Sequence, residues 1–211
     1  MKIDKNKYYE LGEYKFKNFT HLSEEDKLSV WKWRNDESIR KFMYNSDLIS
    51  LEDHLKFIDS LFNRDDVAYW LVSKKDQVVG VTNLTSIDYQ FSKAELGYYM
   101  IPEMLNSGIG LDFAFTNVLF AFSCIGCTSL FGGIDKLNSN AIILDTYLGC
   151  KLNNHDIDNI KDIKYIRWTL QSEDFMRTKD ILNDYRNLVR YSSFRTSKVR
   201  RGPSHSRQYA Q

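Results

Sequence analysis

Charge of one sign is what this chain most plainly lacks. Twenty-nine Lys and Arg stand against 28 Asp and Glu, a formal net charge of +1 over 211 residues. That balance predicts neither a nucleic-acid nor a membrane partner, since both select strongly basic faces. Only residues 191–211 depart from it, carrying Arg195, Lys198, Arg200, Arg201 and Arg207 without an acid. That stretch reads as a disordered basic tail, the alternative being a functional basic arm. Cysteine is scarce and odd in number. Cys124-Ile125-Gly126-Cys127 has the CxxC spacing, but no second Cys pair or His cluster completes a zinc site, so no metal is expected. Reduced thiols in the core or at helix ends fit a cytoplasmic protein. Neither a leader-like segment nor a membrane-length apolar run is present. With no internal repeat and no Gly/Ser linker, one globular domain with some terminal excess is expected.

What is present centres on Ala94–Phe122. An apolar, aromatic run (Leu96, Tyr98, Tyr99, Met100, Ile101) has strand character, and Pro102 ends it because proline has no N–H for a neighbouring strand. A polar loop follows, Asn106-Ser107-Gly108-Ile109-Gly110. Next comes a helical pattern with Leu111, Phe115, Val118, Leu119 and Phe122 spaced for one buried face. Strand, glycine loop and helix together offer backbone N–H groups and a helix dipole to an anion, usually a phosphate.

The flanking segments supply the rest of a fold. Tyr14 to Phe19 reads as a strand. Ser23 and Ser50 cap two helices whose first turns are acidic, the first turning Leu28, Trp31 and Ile39 or Phe42 inward, the second Leu51, Leu55, Ile58 and Phe62. Tyr69 to Ser73 and Val78 to Thr85 form a hairpin. Thr128 to Ile134 is a strand, Asn138 to Leu148 a helix, and Tyr165 to Leu170 a closing strand in which Tyr165, Arg167 and Thr169 alternate with Ile166, Trp168 and Leu170. Trp31 and Trp168 are assigned to the core. The order predicts an α+β (mixed α/β) fold, a mostly antiparallel mixed sheet flanked by helices. The domain is expected over 1–170, an amphipathic helix within 171–190 (Phe175 to Leu188), and the tail over 191–211.

This order resembles the GNAT N-acetyltransferases, which move an acetyl group from acetyl-CoA to an amine. The likeness covers about Tyr14 to Leu170. The family's loop motif, Arg/Gln-x-x-Gly-x-Gly/Ala, is matched by Gly108 and Gly110, with Leu105 in the first position. Its second motif, Asn-x-x-Ala-x-x-Leu/Phe-Tyr-x-x-x-Gly, is matched by Asn138, Ala141, Leu144 and Gly149, with Asp145 in the tyrosine position. The resemblance implies an acetyl-CoA site built from Tyr99, Met100, Ile101, Asn106, Ser107, Gly108, Ile109, Gly110, Leu111 and Asn138. The segments Trp33-Arg34-Asn35, Phe42-Met43-Tyr44 and Ile49 to Ile58 look like the sugar-nucleotide N-acetyltransferases of pseudaminic-acid biosynthesis. By that likeness Arg34, Met43, Tyr44, His54 and Phe57, with Tyr99, would line a nucleotide-sugar pocket.

Acetyl transfer needs a neutral amine, a polarised thioester carbonyl, a proton for the leaving thiolate and aligned reactants. A backbone N–H near Tyr99 to Ile101 could polarise the carbonyl if the strand splays there. Glu95 could take the ammonium proton through water; otherwise it is a strand acid paired with Lys93 or solvent. Asp88 and Glu103 are further candidates. For the thiolate three readings stay open: a perturbed Asp145, Tyr147 two residues on, or water alone. On residues alone Arg34 is a salt-bridged helix end, His54 a solvated helix position, and Met43, Tyr44 and Phe57 equally core.

The expected function is acetylation of the 4-amino group of a UDP-linked 4-amino-4,6-dideoxy sugar, of the UDP-4-amino-4,6-dideoxy-N-acetyl-β-L-altrosamine type. The alternatives are a protein or ribosomal-protein N-acetyltransferase and a non-catalytic GNAT-shaped binding module. A homodimer through the C-terminal helix is a further expectation.

Overall fold

Eight strands build one sheet in the order β1-β2-β3-β4-β5-β6-β8-β7, antiparallel everywhere except between β5 and β6. They are β1 Tyr9–Leu11, β2 Tyr14–Asn18, β3 Ala68–Lys74, β4 Gln77–Asp88, β5 Lys93–Met100, β6 Ser129–Asp135, β7 Lys151–Leu152 and β8 Tyr165–Gln171. The computed structural model describes residues 1–153 and 165–180. The chain divides into two units, Met1–Phe175 and Met176–Gln211. Residues 172–180 are helical. The expected helix beyond 180 and the basic tail lie outside the described residues.

Local chemistry sets the element ends. Ser23 and Asp26 form a reciprocal capping box at the start of α1 (Glu24–Asn35), and Asp36 caps the short α2 (Glu37–Arg40). Ser50 Oγ accepts from the Asp53 amide to start α3 (Leu51–Ser60). Side-chain caps of this kind satisfy N–H groups that the first turn leaves bare. Lys75 and Asp76 both take positive φ (49° and 65°), which gives β3 and β4 the two-residue turn whose twist suits a hairpin.

The sheet carries a layer on each face. Phe19, Leu22, Val30, Ile58, Leu61, Val67, Leu71 and Val81 pack under α1 and α3. Opposite them lie α4 (Gly110–Leu119), which continues as a wider π-helical turn, Phe120–Ile125, and α5 (Ser139–Tyr147). There Phe120 stacks on Phe16 at 4.0 Å between centroids and meets Trp70 edge-on. Trp70 and Val72 face this layer while Tyr69 and Leu71 face the other, the period-2 alternation of a strand covered on both sides.

Several expectations are corrected. Leu28 is 40% exposed, and Val30 takes its place in the core. Phe62 is 71% exposed because α3 gives way to a 3-10 turn, Leu61–Asn63, whose tighter winding swings Leu61 in and Phe62 out. Phe19 belongs to a 3-10 turn rather than to β2. On α4 the buried residues are Phe113, Ala114, Thr116, Asn117 and Val118, whereas Leu111, Phe115 and Leu119 are half-buried. Trp168 is core, but Trp31 is only half-buried, its Nε1 donating to the Ile49 carbonyl at 2.8 Å.

One irregularity positions everything that follows. β5 and β6 pair only from Lys93↔Ser129 to Glu95↔Phe131, after which β5 runs on to Met100 and β6 to Asp135 without partnering. The sheet therefore opens a gap between its two central strands.

Candidate active site

The gap exposes backbone that a regular sheet would consume. The Ile101 N–H donates to the Val79 carbonyl at 3.1 Å. Alternation along an antiparallel ladder then turns the Tyr99 amide toward β4 as well, and the Tyr98 and Met100 amides into the gap. The splay expected near Tyr99 to Ile101 exists, but Ile101 is committed and the Met100 amide faces the opening. Side chains alternate too: Glu95 and Tyr99 lie on the α1–α3 face, Tyr98 and Met100 on the α4–α5 face.

Beyond Met100 the chain makes a 3-10 turn, Pro102–Met104, and enters α4 through the loop Leu105 to Ile109. Asn106 (φ 64°) and Gly108 (φ 83°) take left-handed backbone there. Ile109, at the N-cap, gives no side-chain cap, and Phe113 is the first amide bonded back, to the Ile109 carbonyl at 2.8 Å. The first-turn amides of α4 are thus presented to an outside acceptor, with Asn106, Ser107 and Gly108 exposed beside them. Asp112 would repel an anion, but its carboxylate is bonded to Lys74 Nζ (2.6 Å) and Tyr14 Oη (2.7 Å). A Cβ at Gly110 would lie 3.8 Å from Met100 Sδ, so the loop mouth sits against the end of β5. Asn138 caps α5, its Oδ1 accepting from the Ala141 amide at 3.2 Å.

Of the three proton sources, the structure separates two. Tyr147 is 47% exposed, and among the described residues no hydrogen bond ties it to those around the gap. Asp145 is buried, 5% exposed, and accepts a hydrogen bond from the Tyr98 hydroxyl at 2.7 Å. Burial pushes its carboxyl up to about 6, against the pull of the Tyr98 bond. Tyr98 is held well above its ordinary value by burial and then by the Asp145 charge.

On the opposite face Glu95 is gripped by three partners. Tyr44 Oη donates at 2.6 Å, Thr85 Oγ1 at 3.4 Å, and Arg167 Nη1 lies 3.7 Å away. Arg167 Nη1 also donates to Tyr44 Oη at 3.2 Å. Tyr44 is braced edge-on by Tyr165, whose hydroxyl donates to the Met43 carbonyl at 2.9 Å. Gly133 makes room for this cluster, since a Cβ there would lie 2.6 Å from Tyr44 Oη. Glu95 does not pair with Lys93, which reaches Asp88 instead (3.6 Å). Glu103 is exposed.

Arg34, Phe57 and Tyr99 gather on this same face. Phe57 meets Tyr69 edge-on at 5.2 Å, and both pack with Tyr99 on the α1–α3 core. Arg34 Nη2 donates to the Asn45 carbonyl at 2.8 Å, while its Nη1 is buried without a hydrogen-bond partner. Burial lowers the guanidinium from its ordinary value, and the neighbouring Tyr99 and Tyr69 phenols oppose this. Arg34 is no salt-bridged helix end: no carboxylate partner is recorded for it among the described residues. His54 departs from the group. It is 5% exposed, with Nε2 3.0 Å from the Lys27 carbonyl, and packs α3 against α1. Burial lowers its pKa. It sits apart from that group, in the seam between α3 and α1.

Sequence reasoning missed Tyr98, Thr85, Gly133 and Arg167 as site residues. The alternation of Tyr165, Arg167 and Thr169 was the one available signal, because it puts Arg167 on a single face of its strand.

A split central pair of strands, an amide-lined loop at a helix start and a carboxylate beside the split together define an acyl-CoA-dependent transferase. Residues 18–151 match the family described as acetyltransferase (GNAT) domain, and the chain belongs to that family. It is an N-acetyltransferase, with acetyl-CoA as the acetyl donor. Among curated proteins, acetyltransferase PseH of Campylobacter jejuni is 31% identical over 130 residues, 62% of this chain and 80% of that protein. Among solved structures, C. jejuni PseH in complex with acetyl coenzyme A aligns with a TM-score of 0.59 at 23% identity, covering 75% of this chain and 99% of that one. Spermidine N-acetyltransferase from Vibrio cholerae, in complex with CoA and spermine, aligns with a TM-score of 0.68 at 12% identity, covering 79% and 99%. At these identities the structural likenesses establish the fold alone. Among the described residues no cluster of His, Cys, Asp and Glu could hold a metal, no helix is long and apolar enough to cross a membrane, and the three cysteines are unpaired.

Proposed function

We propose that this enzyme acetylates the 4-amino group of a UDP-linked 4-amino-4,6-dideoxy sugar, the step implied by its resemblance to the sugar-nucleotide N-acetyltransferases of pseudaminic-acid biosynthesis. The observation that carries the reading is Arg34. A half-buried arginine whose Nη1 is buried and unpartnered, beside Tyr69 and Tyr99, suits a group that is both anionic and flat. A nucleoside diphosphate offers both: oxygens for the planar fork and a base for aromatic contact. An open peptide groove would instead present carboxylates to a basic tail. The likeness to PseH, at 31% identity, supports the same choice.

The reading gives roles to this chain's groups. Acetyl-CoA is a substrate rather than a resident cofactor, and its diphosphate matches the first-turn amides of α4 and the Gly108–Gly110 loop. The Met100 amide would polarise the thioester carbonyl from within the gap. Glu95 would receive the ammonium proton through water, leaving a neutral amine to attack. Tyr44 and Arg167 hold its carboxylate on the acceptor side of β5.

Thiol release from acetyl-CoA with UDP-4-amino-4,6-dideoxy-N-acetylaltrosamine, and in parallel with a basic peptide, tests the reading. Release with the sugar that falls at least about tenfold in Arg34→Ala, with acetyl-CoA affinity kept, is the expected result. Release with the peptide alone would overturn it.

A further inference from the structure

The departing acetyl group leaves a thiolate behind, and the two residues at the expected helix positions stand in opposite surroundings. Tyr147 is turned to solvent, and Asp145 is buried behind another side chain. That side chain is Tyr98. Its ring stands on the α4–α5 face of β5, edge-on to Phe113 with 6.0 Å between centroids, and its hydroxyl bonds Asp145 Oδ1 at 2.7 Å. By residue 98 the pairing of β5 with β6 has ended. The Tyr98–Asp145 bond therefore links β5 to the helix that follows β6, across the gap, two residues before the Met100 amide that faces the same opening. A phenol stands at the split, supplied by the strand instead of by the helix.

We propose that the Tyr98 hydroxyl is the catalytic proton donor to the departing CoA thiolate, with Asp145 as the positioning residue that backs it. The proposal rests on acetyl-CoA-dependent transfer and not on which amine is acetylated. In the step, nitrogen bonds to the acyl carbon, the C–S bond breaks and its electron pair stays on sulfur. When Asp145 is protonated, its carboxyl donates across the 2.7 Å contact to the Tyr98 oxygen and leaves the phenol hydrogen free. The Tyr98 proton then moves to that sulfur and the Asp145 proton to the Tyr98 oxygen. Solvent then reprotonates Asp145, and the proton lost by the amine leaves to solvent on the Glu95 side. Asp145 suits the task because burial raises its carboxyl to about 6, so it holds a proton closer to neutrality than a surface aspartate does. The titratable groups facing it are Tyr98 and Cys150, and burial together with the Asp145 charge raises the pKa of both.

The test uses Tyr98→Phe, Asp145→Asn and the double variant of the full chain, with a readout independent of any acceptor. Bound CoA is titrated by the ultraviolet absorbance of its thiolate. An unclaimed phenol hydrogen at the sulfur stabilises the thiolate, so in Asp145→Asn, where no carboxylate takes that hydrogen, the bound thiol should ionise at lower pH than in the double variant, at equal CoA affinity. With a competent amine, Tyr98→Phe should lower kcat about 10²-fold while leaving KM for acetyl-CoA in place. Asp145→Asn should add little to the loss in the Tyr98→Phe background, since it acts through that hydroxyl. Identical thiol titrations in Asp145→Asn and the double variant would overturn the proposal, whether or not the sugar nucleotide is the acceptor. So would a melting temperature and CoA affinity that fall together in Tyr98→Phe with kcat preserved.

Discussion

Burying Asp145 has a pH signature that Asp145→Asn should abolish. An aspartate in the open chain titrates near 3.8, and in the folded protein burial raises this one to about 6. The folded state thus holds the proton more tightly than the unfolded state. Stability from this group is full below about pH 3.8, declines as pH rises through about 6, and is gone above. A gap of about two units is worth about 3 kcal/mol at about 1.4 kcal/mol per unit, and about 2 kcal/mol of it falls between about pH 4.5 and pH 8. Asparagine does not titrate, and any fixed cost of its amide is the same at every pH. The informative quantity is the change in the difference between the two proteins. Urea denaturation of both across that range, at constant ionic strength, should show wild type losing about 2 kcal/mol relative to Asp145→Asn, about 4–8 °C in melting temperature for a chain of this size. Stability curves that run parallel within about 0.5 kcal/mol would mean that Asp145 is hydrated and not buried, and the reasoning would fail.

Three further outcomes are expected. Gly133→Ala puts a methyl group 2.6 Å from Tyr44 Oη and 3.2 Å from Arg167 Nη1, so it should release Tyr44 from Glu95 and raise the acceptor KM roughly tenfold, read from steady-state kinetics. Gly80→Ala places its Cβ 2.4 Å from the Tyr99 carbonyl oxygen and 2.5 Å from the Phe113 ring; because the first contact is backbone, the strand itself must shift, at about 1–3 kcal/mol in urea denaturation and with weaker acetyl-CoA binding by calorimetry. His54→Ala should cost about 1–3 kcal/mol through the lost Lys27 contact and packing while the acceptor KM holds; a raised KM at unchanged stability would return His54 to the pocket.

What could be read from the sequence was local. Ser23, Ser50 and Asn138 announce helix starts because a cap acts within three residues of itself, and all three cap in the structure. The glycine loop and the Asp145 position were legible for the same reason, as fixed spacings along one chain. Leu28 and Phe62 misled because an apolar residue at helical spacing does not reveal where the helix ends or which flank meets the sheet. The grip on Glu95 was out of reach altogether. It joins Tyr44 from the α2–α3 connection, Thr85 from β4 and Arg167 from β8, over a gap left by Gly133 on β6. Only strand order and register bring those four positions together. Tyr98 was visible as a strand residue, but its pairing with Asp145 depends on a helix 47 positions on.

β5 explains why so much chemistry converges on so few residues. One strand, paired with β4 along its length and with β6 over only three positions, has one edge committed and the other bare from Leu96 onward. Its alternation then sorts the reaction into halves. Glu95 and Tyr99 turn toward the face that carries Arg34, Tyr44 and Arg167, where the proposed sugar nucleotide would bring its amine. Tyr98 and Met100 turn toward α4 and α5, where the loop amides can hold the donor, and the Met100 N–H points into the gap between. A slip of one residue in the β4–β5 register would exchange the two sets, sending the carboxylate to the thioester side and the phenol to the amine side. Gly80 and Gly97 oppose such a slip, because a Cβ at either would strike the Tyr99 carbonyl oxygen or the Asn83 side chain within 3 Å, and neighbouring positions in both strands carry side chains. On the proposed reaction, the register of this one strand pair therefore sets which side of the sheet each reactant would approach.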